Sequence, residues 1–95
     1  MIRHVSIFTL KEGADVAQVL RGLDEVRERV PGPVASSYGL DLGLRAGNGG
    51  FATCFDFADE SAYRAWDTHP EHEKIRREKI VPHIAAASRC QFRVG

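Results

Sequence analysis

The run Ile2 to Leu10 is dominated by β-branched and aromatic residues and shows no helical period, which predicts a strand. Alternation along it puts His4, Ser6, Phe8 and Leu10 on one face and Arg3, Val5, Ile7 and Thr9 on the other. Both faces are semi-apolar, so both need cover; a sheet open to water on one side would read as polar there. A chain of 95 residues buries only a modest share of its surface and benefits from a partner subunit. This strand therefore calls for helices on one side of its sheet and something else on the other.

The remaining segments supply the helical layer. Asp15 followed by Gln18 is a capping-box pattern that opens a helix through Val16, Val19, Leu20, Leu23, Val26 and Val30, and Pro31-Gly32-Pro33 ends it. Val34 to Leu44 and Phe51 to Phe57 read as a hairpin around the glycine-rich turn 46–50, with Gly39 and Gly43 leaving space for a bulge or a close backbone approach. Asp59 caps a helix through Trp66, and Pro70 restarts helical structure at its own first turn. Ile75, Ile80, Val81 and Ile84 form its apolar stripe, which Pro82 should end or bend, and Ser88 to Val94 returns as a strand.

The order β-α-β-β-α-β is the ferredoxin-like plan: an α+β domain spanning residues 1–95, with a four-stranded antiparallel sheet and helices on one face. Val5, Ile7, Ala52 and Cys54 fall on the opposite alternation. A second subunit is expected to cover them, closing a barrel-like homodimer. Asp56 shares that face and should pair with Arg3, Arg89 or a partner residue rather than stay alone.

Thirteen basic and thirteen acidic residues cancel, so no large positive field draws nucleic acid or an anionic membrane. Neither a signal peptide nor a membrane-spanning stretch is apparent. Cys54 and Cys90, in apolar stretches without C-x-x-C spacing, suit reduced buried thiols, and a cytoplasmic location is the expectation. No phosphate loop, nucleophile elbow or dinucleotide fingerprint appears, and no cofactor is expected.

Chemistry is concentrated in His69-Pro70-Glu71-His72, which follows the aromatic helix carrying Tyr63 and Trp66. Two imidazoles at i, i+3 around a proline place groups that titrate near neutral pH at a helix mouth. That spacing departs from the i, i+4 pair of a zinc helix, and no metal site is expected. His72 can act as a general acid or base. A structural role is the competing reading, with His69 capping the second segment and His72 bonding across to hold the two segments together.

The opening Ile2-Arg3-His4-Val5-Ser6-Ile7-Phe8, the stretch Phe55-Asp56-Phe57-Ala58-Asp59-Glu60 and the His69-Pro70-Glu71-His72 motif together resemble the stress-responsive dimeric α/β-barrel (Dabb) family. The resemblance spans essentially the whole chain. It implies a homodimer of ferredoxin-like subunits packed sheet to sheet, in a family that holds plant stress proteins and a few polyketide cyclases such as olivetolic acid cyclase. Carried over by position, the cyclase motif histidine falls on His72 and its first-strand histidine on His4. Trp66 stands where the cyclase has a tyrosine and Thr53 where it has a third-strand histidine, with Tyr63 one turn away as a substitute.

The resulting expectation is a mostly apolar pocket between sheet and helices. His72, His4 and Tyr63 are the candidate catalytic groups, and Phe8, Tyr38, Thr53, Trp66 and His69 the candidate substrate contacts. The pocket would take a small aromatic or polyketide-like molecule, with cofactor-free acid/base cyclisation as the chemistry. The alternatives are a non-catalytic stress-response protein and a cofactor-independent monooxygenase.

Overall fold

A computed structural model describes residues 1–95. β1 (Ile2–Leu10) lies inside a four-stranded sheet, flanked by β3 (Phe51–Phe57) and β4 (Ile84–Arg93), with β2 (Ala35–Leu40) beyond β3. Every neighbouring pair is antiparallel. α1 (Val16–Arg29) connects β1 to β2, and α2 (Glu60–Asp67) and α3 (Pro70–Ile75) connect β3 to β4. After α3 the chain unwinds through a wide turn at Arg76–Ile80 and a tight one at Val81–His83, which holds Pro82. The ferredoxin-like plan predicted from the order of elements is the fold.

Helix starts follow local chemistry. The Asp15 carboxylate accepts from the Gln18 N–H at 3.1 Å and that of Asp59 from the Ala62 N–H at 2.8 Å, satisfying donors that a first turn leaves unpaired. The reciprocal half of the capping box does not form, because the Gln18 side chain bonds His83 instead. His83 also accepts from the Asp15 N–H at 3.2 Å, so it ties the start of α1 to the entry of β4.

The core lies between the sheet and the helices. Phe55 and Phe57 of β3 pack with Trp66, Val26, Val30, Ile2 and Ile75 in one cluster, and Phe51 joins Val19, Leu23 and Ile80 in a second. Gly32 turns the chain after α1 with φ at +138°, and a Cβ there would sit 3.1 Å from the Cβ of Trp66. That close approach lets the α1–β2 link pass over the indole.

Several boundaries differ from the sequence expectation. β2 stops at Leu40, not Leu44, because the Asp41 carboxylate takes the Gly43 N–H at 2.8 Å and the Asn48 amide at 2.9 Å, closing a local loop. β4 begins at Ile84, which pairs with Leu10 across a bulge and so belongs to the sheet, not to the helical stripe. The cysteines are not both buried: Cys54 is half-buried and Cys90 exposed. Both face Val5 from opposite sides, two strand spacings or about 9–10 Å apart, beyond disulfide reach.

The face of the sheet away from the helices is open in the single chain. Ile7 and Phe92 on it remain 50% and 46% exposed. Arg3 and Asp56 sit directly opposite each other there, and the guanidinium grips the carboxylate through two bonds of 2.8 and 2.9 Å. Of the partners open to Asp56 by sequence, strand register selects Arg3. That hydrogen bond, more than the charge itself, holds the Asp56 carboxyl below its usual range.

Candidate functional site

The α2–α3 elbow is built by Thr68, His69 and Pro70. The Thr68 hydroxyl closes α2 by donating to the Arg64 carbonyl at 2.8 Å. His69 starts α3 by accepting the Glu71 N–H on Nδ1 at 3.1 Å, and Pro70 takes the first helical position, where no N–H is needed. The elbow turns His72 back toward α2, and its Nδ1 meets the Trp66 carbonyl at 2.8 Å. A carbonyl only accepts, so Nδ1 carries the proton and Nε2 is left with the lone pair. Nε2 has no protein partner and is not sealed among buried atoms.

His72 and Trp66 line a cavity of about 250 Å³ between the sheet and the helices. From the sheet side come His4, Ser6 and Phe8 of β1, Phe51, Thr53 and Phe55 of β3, and Ile84 and Arg89 of β4. From the helical side come Leu23 and Val26, then Trp66 and Asp67, and then His72, Arg76, Ile80 and Val81. Apolar walls with a few convergent polar groups suit a small organic ligand.

Burial decides the charge state of both imidazoles. Desolvation pushes His72 down to about 4, outweighing the opposite pull of the Trp66 carbonyl, so the ring is neutral at pH 7. His4 is also lowered, again chiefly by burial, with Arg89 and Arg76 adding to the effect. Its two nitrogens are engaged, Nε2 with the Ser6 hydroxyl at 3.2 Å and Nδ1 with the Gln91 amide at 2.8 Å. His4 thus offers polarity to the cavity but no free lone pair. The indole of Trp66 lies between the two, with ring centroids 4.1 Å from His72 and 5.8 Å from His4, and its own N–H is buried without a partner.

Of the residues expected at the site, the structure brings His4, Phe8, Thr53, Trp66 and His72 to one cavity. Tyr63, Tyr38 and His69 lie outside its wall. Tyr63 packs against His4 and Phe57, with centroids at 5.2 and 5.4 Å. Tyr38 donates to Asp24 beneath Arg27 at the α1 surface, and burial followed by that bond raises its hydroxyl to about 12. His69 is spent on capping.

The sequence reading missed Ser6, Asp67, Arg76 and Arg89. Ser6 shares the face of His4, and Arg89 alternates with the outward-facing Cys90, so the two-residue period contained the signal for both. Asp67 and Arg76 had none, since they meet only because the elbow folds. Arg76 donates to the Asp67 carboxylate at 3.0 Å and to its carbonyl at 2.7 Å. No group of side chains in the structure is arranged to hold a metal ion.

Solved structures share this architecture. A dimeric ferredoxin-like protein of unknown function from Thermobifida fusca is 32% identical, with a TM-score of 0.88 over 98% of this chain and 90% of that one. A hydroxynitrile lyase from Passiflora edulis is 16% identical (TM-score 0.84, covering 99% and 93%). A cofactor-independent oxygenase from Streptomyces nogalater is 14% identical (TM-score 0.77, covering 99% and 92%). At 16% and 14% the likeness is one of fold. No curated protein matches the chain. The family model for the stress responsive A/B barrel domain matches residues 2–92, every helix and all of the sheet but its last residue, and the chain belongs to that Dabb family.

Proposed function

We propose that this chain forms a homodimer whose subunits each bind a small aromatic or polyketide-like molecule in the cavity, where His72 serves as a cofactor-free acid/base. The free Nε2 of His72 carries the reading. It is a lone pair on a neutral ring, held in one tautomer by the Trp66 carbonyl and reachable from an apolar cavity. A carbon between two carbonyls would give its proton to Nε2, leaving its electron pair as an enolate. The enolate would attack a further, more distant carbonyl of the same molecule, and the imidazolium would return the proton to the new alkoxide. A ring poised near 4 is a weak base when the cavity is empty. An enolate beside it favours the imidazolium and raises its basicity as the charge forms.

The uncovered sheet face, with Ile7 and Phe92 half-exposed, supports the homodimer. So does the dimeric state of the 32% identical protein. Thermal denaturation against a panel of phenols and β-polyketones tests ligand binding. A ligand at hundredfold excess over its Kd adds about 2.7 kcal/mol of stability and raises the midpoint by several degrees. For any compound that is turned over, His72→Ala should abolish turnover and leave the dimer intact.

The second reading, a non-catalytic stress-response protein, is favoured by the bond from His72 across the elbow and by the cap that His69 supplies. A panel in which no compound shifts the midpoint would select it.

A further inference from the structure

The charges around the cavity do not balance, and the imbalance says what enters. Three charged residues line it, Asp67, Arg76 and Arg89. Asp67 and Arg76 are bound to each other at 3.0 Å and cancel. Arg89 has no carboxylate partner, and its guanidinium lies 5.6 Å from the centroid of the Phe8 ring, exposed at the mouth. Deeper in, both imidazoles are neutral and the Trp66 N–H is a buried donor without an acceptor. The wall therefore offers one uncompensated cation, and its only charged acceptor is already occupied.

We infer that the cavity takes a single-ring organic carboxylate, its negative group held by Arg89 at the mouth and its ring laid against Trp66 and Phe8. Arginine matches a carboxylate through paired N–H donors, and the aromatic walls take the ring. The size agrees. A cavity of about 150 Å³ holds benzene, so 250 Å³ has room for one ring and a short acidic side chain, but falls below the roughly 300–1,000 Å³ of sites for drug-sized ligands. This inference rests on the proposed role of the cavity as a binding site and specifies its ligand.

Phenylacetate and phenylacetamide have nearly the same shape and differ by one charge, and Trp66, the single tryptophan of the chain, reports their entry by fluorescence. The wild-type dimer should bind the acid about tenfold more tightly than the amide. Arg89→Ala should bring the acid down to the level of the amide while leaving the amide unchanged. Arg89→Lys should keep part of the preference. Arg45→Ala, which removes a charge from the distant β2–β3 loop, should keep all of it. Arg89 is exposed and unpaired, so these variants retain the fold. Equal binding of acid and amide by the wild type, or an acid preference that survives Arg89→Ala, overturns the anion inference and leaves the cavity as a binding site. Failure of both probes to perturb Trp66 overturns the binding site as well.

Discussion

His72 donates its Nδ1 proton to the main-chain carbonyl of Trp66 at 2.8 Å while its ring packs 4.1 Å from the indole of the same residue. One contact thereby does two things. It ties α3 back to α2 across a proline, and it fixes which imidazole nitrogen keeps its lone pair. The bond that staples the elbow is also the one that leaves Nε2 unprotonated.

That arrangement makes stability depend on pH in a defined window. His72 is held near 4 in the native state against an ordinary value of 6.5. Between these values the unfolded chain binds a proton that the native chain does not, so stability falls as pH drops from about 6.5 toward 4 and is unaffected by this group above 7. Replacing His72 by Asn should reduce the loss of urea midpoint between pH 7 and pH 5 relative to the parent. An identical slope in the variant would place the sensitive group elsewhere.

Trp66 should behave differently toward two substitutions. The side chain is 4% exposed and touches most of the aromatic core, so Trp66→Ala should cost about 3–5 kcal/mol in chemical denaturation. Trp66→Phe retains much of the ring and removes an N–H that is buried without an acceptor. Its cost should be much smaller, about 1–2 kcal/mol, because the lost volume is offset by relief of the unsatisfied donor.

Gly32 should resist side chains. Its φ of +138° disfavours any L-residue, and an added Cβ meets the Trp66 Cβ at 3.1 Å. Gly32→Ala should destabilise by about 1–3 kcal/mol. Gly39, where an added Cβ meets nothing within 4 Å, provides the contrast within the single chain. A loss at Gly39 as large as that at Gly32 would mean that β2 is itself covered in the assembled protein.

A charge on the open sheet face should break the proposed dimer. Ile7→Glu places a carboxylate among Val5, Ala52 and Cys54, where a partner sheet would bury it. Light scattering should then give a monomer mass for the variant and twice that for the parent. A dimeric variant would mean that the copies meet elsewhere.

Much of this protein is local and therefore legible in its sequence. Asp15 and Asp59 cap helices, Pro70 starts one, and alternation sorts β1 into two faces, because each of these depends on residues within a few positions of one another. The candidate site was half legible for the same reason: His4 and Phe8 declare their face by period, and His72 its position by the motif. The end of β2 at Leu40 was hidden by a loop that Asp41 organises, although the leucines beyond it keep a strand-like alternation.

Tertiary structure decided the remainder. Arg89 reaches the cavity because β4 pairs with β1 in a register that sets it opposite Ser6, and Arg76 is neutralised because an elbow brings Asp67 to it. Tyr63, one turn from Trp66 on the same helix, packs outside the cavity wall because Phe57 and His4 occupy its side. Contacts across tens of residues follow from strand register and helix packing, which are properties of the whole assembly of elements. A short stretch of sequence can specify which groups are present, but only the packed fold determines which of them keep a free lone pair or an unpaired charge.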